Sequence, residues 1–103
     1  MKIAISERAK RNRNQIAGYI LRTFGTKTLL EFRDAYKKTK EYIAKHPTGC
    51  EVEEHLSNEG RLYRSTSIHG LTKLIYRIDE DKEVVYIVDM WDVRKEPPTY
   101  VES

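Results

Sequence analysis

From Leu71 to Trp91 the chain alternates apolar and polar positions in two runs, LTKLIYRI and EVVYIVDMW, which flank the charged stretch Asp79-Glu80-Asp81-Lys82. Alternation in β-branched and aromatic residues around a polar bend predicts a β-hairpin. Upstream the period lengthens. Ala9, Ile16, Ala17, Ile20 and Phe24 recur at helical spacing and predict a helix over Glu7–Thr23. Ser6 is its expected N-cap, Glu7 complements the helix dipole, and Gly25 ends it. Leu29, Phe32, Tyr36 and Ile43 mark a second helix, capped by Thr26 or Thr28 and stopped at His46-Pro47-Thr48-Gly49. Its opposite face carries Lys37, Lys38, Lys40 and Lys45. So short a linker between helices implies an antiparallel helical hairpin. Lys2–Ile5 reads as a short edge strand and Leu62–Ser67 as a further strand, with a turn at His69-Gly70. Gly49–Gly60 reads as a loop or one turn of helix, and the tail from about Asp92, with Pro97-Pro98, as irregular or extended.

The order β-α-α-β-β-β predicts one α+β domain over residues 1–103, with the helical hairpin on one face of a small antiparallel sheet and the other face open. On the first hairpin arm, Leu74, Tyr76 and Ile78 are assigned to the helix side and Lys73, Ile75 and Arg77 to the open side. On the second arm, either Val84, Tyr86, Val88 and Met90 or Val85, Ile87, Asp89 and Trp91 face inward. The alternation alone does not choose.

Charge sharpens this picture. The net charge of +3 over 103 residues conceals blocks of opposite sign. Residues 1–25 carry six Lys/Arg against one Glu, and residues 26–47 six against three acids. Residues 48–60 hold four glutamates and no Lys or Arg, whereas 61–78 hold Arg61, Arg64, Lys73 and Arg77 with no acid. Residues 79–103 return to eight acids against three cations. Basic blocks attract phosphate or acidic protein segments, although a helix bearing cations is often only a solvated face. The block at 61–78 falls on predicted sheet, where such a face is less expected. No apolar run approaches the roughly 20 residues that span a bilayer, and the N-terminus has no signal-like apolar region. The single Cys50 fits a reducing cytoplasm. His46, His55, His69 and Cys50 show no ligand spacing, so no metal site is expected.

Several landmarks occur together: Phe24-Gly25 between the helices, Pro47 and Gly49 after the second, Gly60-Arg61-Leu62-Tyr63-Arg64, the strand Lys73–Ile78 (KLIYRI), an acidic turn, and Asp92, Arg94 and Pro97 in a D-x-R-x-x-P ending. In this combination, over roughly residues 5–100, the chain resembles the RelE/ParE superfamily of bacterial toxin–antitoxin systems, and its ending resembles ParE-like members. The resemblance implies a cytoplasmic toxin that arrests growth, either by ribosome-dependent mRNA cleavage or by poisoning DNA gyrase. It implies no cofactor and no membrane partner. It also implies neutralisation by a cognate antitoxin, through which alone the complex would reach operon DNA.

For the cleaving members the resemblance places Arg64 and Lys73 on two positions of a basic cluster, Arg94 after the last strand, and Tyr100 in the tail. Such a metal-independent endoribonuclease needs a group to activate the 2′-hydroxyl, cations for the charged transition state and an acid for the leaving oxygen. Thr66 stands where another basic residue is expected, the tail alignment crosses a length difference, and the His-Tyr ending of a further branch is missing. Arg61, Arg77, Lys95 and Trp91 are the expected RNA- or partner-binding residues. The competing readings are structural: Arg64 and Lys73 paired across strands with Asp89 or Glu83, Arg94 with Asp92 or the loop glutamates, Tyr100 as a packing residue, His69 as a turn residue, and Trp91 as core. A non-catalytic nucleic-acid or protein binding module of the same architecture, or an inactive relative, remains the alternative. No strand shows the glycine-flanked aromatic signature of RNA-recognition folds.

Overall fold

The computed structural model describes residues 1–57, 61–96 and 98. Its elements are β1 (Lys2–Ile5), α1 (Glu7–Phe24), α2 (Thr26–Lys45), β2 (Glu51–Val52), β3 (Arg64–His69), β4 (Thr72–Asp79) and β5 (Val84–Asp92). The five strands form one sheet in the order β1-β5-β4-β3-β2, and both helices pack on one face of it, an α+β architecture. All neighbours run antiparallel except β1, which lies parallel to β5 at the sheet edge. No helix among the described residues is long and apolar enough to cross a membrane.

Ser6 fastens α1 to this edge. Its hydroxyl accepts from the Ala9 amide at 3.0 Å, the expected N-cap, and donates to the Val88 carbonyl at 2.8 Å. Its own amide donates to the Ile87 carbonyl at 2.9 Å. At the other end Gly25 serves both helices: its N–H closes α1 on the Leu21 carbonyl and its carbonyl accepts from Leu29. Neither Thr26 nor Thr28 caps α2, because Gly25 holds the N-cap position with φ of 90°, where a side chain is strained. Phe24, expected in the buried stripe, is 60% exposed. The stripe is continuous in sequence, but Gly25 turns the chain at once, and Phe24 packs edge-on against Tyr19 instead.

The main core places Leu74, Tyr76, Val85, Ile87 and Met90 against Ala9 and Ile20 of α1 and Leu29, Phe32, Tyr36 and Ile43 of α2. The assignment of Leu74, Tyr76 and Ile78 to the helix side matches this packing. On β5 neither alternation set faces inward throughout. Tyr76 pairs with Ile87 and Ile75 with Asp89, so Val88 is an extra residue, a β-bulge. The bulge shifts the alternation by one. Val85 and Ile87 face the helices before it and Met90 after it, while Val88 and Trp91 join the opposite face.

That opposite face is not open as expected. Leu56 and Tyr63 close over Ile75, with Val88 and Trp91 beside them, as a second small core. The covering segment is held by backbone and side-chain bonds: Glu53 N–H to the Tyr63 carbonyl at 2.8 Å, and Ser57 Oγ to the Glu53 carbonyl at 2.8 Å. Two residues of the stretch read as loop, Glu51 and Val52, extend the sheet by pairing with Ser65 and Arg64. Strand β3 begins two residues later than expected, leaving Leu62 half exposed. The hairpin bend also shifts: Asp79 stays in β4 opposite Val84, and Glu83 takes a positive φ of 54°.

Candidate functional site

A groove runs between α1 and the ends of β4 and β5. Its volume is about 670 Å³, and Ile16, Tyr19, Ile20 and Phe24 form one wall. Leu71, Met90 and Trp91 form the other, with Arg94, Lys95, Glu96 and Pro98 along the rim. The volume lies in the range of ligand and anchor-residue pockets, whose walls are mostly apolar with a few polar groups. Tyr19, Phe24 and Leu71 are each at least 40% exposed, so the aromatic and aliphatic surface is presented rather than buried. Apolar patches of this kind mark interaction sites.

The polar groups in the groove are held in place. Asn12 donates its amide to Asp89 at 2.7 Å, a bond from α1 to the strand, and Asp89 is 4% exposed. Asp89 also accepts from the Met90 amide at 2.8 Å. Arg94 grips Asp92 through two bonds, Nε to Oδ1 at 3.0 Å and Nη2 to Oδ2 at 2.8 Å, and its guanidinium lies 5.6 Å from the centre of the Tyr19 ring. The bond from Arg94 holds the Asp92 carboxyl below its usual range, against the opposing effect of burial. The same bond, with one to Tyr19, pushes the Arg94 guanidinium up. His69 lies on the groove as well, 3.7 Å from Glu31, a residue the turn reading of His69 does not connect to it.

The structure distributes the expected site residues over three places. Arg94, Lys95 and Trp91 all line the groove. Lys73 is on the opposite face, where its ammonium contacts Glu53 at 2.8 Å and lies 5.9 Å from the Trp91 ring centre. Glu53 also accepts a hydrogen bond from Ser65. Burial pushes the Glu53 carboxyl up, but the bonds from Lys73 and Ser65, with the nearby charges of Lys73 and His55, outweigh it and leave the group below its ordinary value. Arg64 pairs with Tyr76, whose side chain is in the helix-side core, whereas Lys73 pairs with Ser67 and Trp91. The two cations therefore occupy opposite faces of the sheet. Arg64 reaches the end of α2, donating to the carbonyls of Cys50 at 2.7 Å and Thr48 at 3.3 Å. Beside it, the Tyr76 hydroxyl donates to the Pro47 carbonyl at 2.7 Å, and burial pushes the phenol up.

Arg61, Arg64 and Arg77 line a second cavity, to which Arg64 comes from the helix-side face and Arg77 from the face that also carries Lys73. Tyr100, and with it Gly60 and Pro97 of the landmarks, lies outside the described residues. The structural alternatives fare unevenly. Arg94 does pair with Asp92, whereas Lys73 takes Glu53 rather than Asp89 or Glu83, because the segment at 53–57 folds over its face. Sequence reading missed Tyr19 and Leu71 as groove residues, and Glu53 as the partner of Lys73. An exposed leucine beside a turn glycine, Gly70-Leu71, was the available signal for one of them.

No family model matches the chain, and no curated protein matches it.

Proposed function

We propose that this protein is a toxin of the RelE/ParE type that works by binding a protein target, as gyrase-directed members do, and is restrained by an antitoxin. The sequence landmarks and the α+β architecture of a helical hairpin on a sheet support the class. One observation carries the choice of mechanism: the groove along α1 presents Tyr19, Phe24 and Leu71 as exposed side chains, with Arg94 at its rim. Protein-binding hot spots favour such aromatic and arginine side chains beside apolar pockets. Three cations of the cleavage set are instead spent on internal partners: Lys73 on Glu53, Arg94 on Asp92, and Arg64 on two carbonyls. Cleavage at a 2′-hydroxyl would require them to converge on one phosphate.

Induced expression in bacteria tests this reading. Growth arrest with intact mRNA by primer extension and an induced DNA-damage response is the expected outcome, and Tyr19→Ala with Leu71→Glu relieves the arrest. In-frame, translation-dependent mRNA cuts that disappear in Arg64→Ala and Arg94→Ala would establish ribosome-dependent cleavage instead. Unimpaired growth would overturn the toxin reading altogether.

A further inference from the structure

The two edges of the sheet differ. β2 ends it with two exposed residues, whereas β1 ends it with the four-residue strand Lys2–Ile5. Backbone bonds from β1 to β5 leave from alternate residues. The Lys2 amide donates to the Glu83 carbonyl at 3.4 Å and the Ser6 amide to the Ile87 carbonyl at 2.9 Å. Ala4, opposite Tyr86 in the parallel register, stands in the same phase. The N–H and C=O groups of Ile3 and Ile5 therefore point away from the sheet. Among the described residues no strand pairs on that side, and no hydrogen bond reaches these groups. Open edges are templates for a further strand, and folds blunt them with charges, prolines or bulges. β1 has one charge, Lys2 at its start, no proline, and an unbroken register.

The strand is its own complement. Two copies laid antiparallel about a two-fold axis at Ala4 bring Ile3 of each opposite Ile5 of the other. Each such pair exchanges both its N–H and C=O groups, so every outward group on both copies is bonded. A shift by one residue turns those groups away. A shift by two keeps the phase but pairs Ile5 with Met1, or Ile3 with Glu7, outside the strand. At the axis Ala4 meets Ala4, and the small side chain suits a Cα separation of about 4.5 Å. Lys2 falls opposite Ser6, so the strand's cations are not opposed. Ile3 and Ile5 are half-buried against the main core, and each pair extends that core across the junction.

We infer that β1 is a self-association edge, through which two copies of this chain join their sheets antiparallel about Ala4. The groove along α1 includes no β1 residue, so the inference stands apart from the toxin reading.

The test is sedimentation velocity on the full chain over a concentration series. Reversible dimerisation in the micromolar range is expected. Ala4→Glu sets two carboxylates face to face at the axis and should weaken it about tenfold, with circular dichroism to check that the variant folds. Tyr19→Ala with Leu71→Glu, in the groove, should leave it unchanged. Cysteine variants in a Cys50→Ser background read the register directly. Under oxidation Ala4→Cys should form an intermolecular disulfide, because the paired Cα atoms lie within the span of that bond. Lys2→Cys should not, because its two copies lie more than about 12 Å apart along the strands. A chain that stays monomeric at every concentration leaves the edge to a strand of another protein and overturns the inference. So does a dimer that Ala4→Glu does not weaken, or one that Lys2→Cys crosslinks as readily as Ala4→Cys.

Discussion

Glu53 ties the covering segment to the sheet, and removing its charge should measure what that tie contributes. Its carboxylate is 12% exposed and lies 2.8 Å from the Lys73 ammonium, itself 33% exposed. At an effective dielectric constant of about 20, two unit charges at that distance attract by roughly 6 kcal/mol. Desolvating a carboxylate and an ammonium costs several kcal/mol, so the net contribution should be about 1–3 kcal/mol. Glu53→Gln retains an acceptor for Ser65 and loses the charge. The expected result at pH 7 is a loss of about 1–2 kcal/mol in urea denaturation, within the range for charged hydrogen bonds. Lys73→Met should couple to it, so that the double variant loses less than the two single losses together. The acid limb gives a second reading. Because the folded-state pKa is depressed, the stabilisation is present above the unfolded value of about 4.3 and is lost as pH falls through the folded pKa. The wild type should therefore lose stability below about pH 4 more steeply than Glu53→Gln. Equal midpoints at pH 7, or identical acid limbs, would refute the argument that this pair holds the segment down.

Three further outcomes test the framework around the site. Ile87→Ala empties a fully buried position in the main core and should cost about 2–5 kcal/mol in chemical denaturation. Ser6→Ala removes both the cap to Ala9 and the bond to Val88, and should cost about 1–2 kcal/mol, visible as a lower thermal midpoint. Gly25→Ala meets no neighbouring atom, so its cost is purely conformational at φ of 90°, about 1–3 kcal/mol by the same assay.

Periodicity made the helices and the hairpin legible because their apolar residues meet a single surface. Leu29, Phe32, Tyr36 and Ile43 are all buried where a helical stripe puts them, and Leu74 and Tyr76 where an alternating strand does. What periodicity could not carry was any feature set by a partner far along the chain. The bulge at Val88 comes from fitting β5 against β4 while Ser6 takes the carbonyls of Ile87 and Val88 from the other side. No local signal in VVYIVDMW announces it. The covering of the second face is similar. Leu56 sits in an acidic stretch with little pattern, yet it is 8% exposed because Tyr63 and Ile75 receive it. The site was legible in composition and not in arrangement. The cations of 61–78 were visible as a block, but a strand sends alternate residues to opposite faces.

That last point decides how the basic residues divide. Arg64 and Lys73 look equivalent in sequence, each a cation on a strand of one hairpin. Across β3 and β4, however, Arg64 stands opposite Tyr76 and Ser67 opposite Lys73, and an odd offset separates the two pairs. One cation therefore accompanies the helix-side core and the other the covered face. Lys73 then meets the acidic segment at 53–57 and is neutralised there, while Arg64 donates to the Thr48 and Cys50 carbonyls in the loop after α2. The exposed apolar surface collects along α1. The sheet thereby carries a neutralised ion pair on its covered face, while the aromatic and aliphatic side chains of the groove lie beside α1.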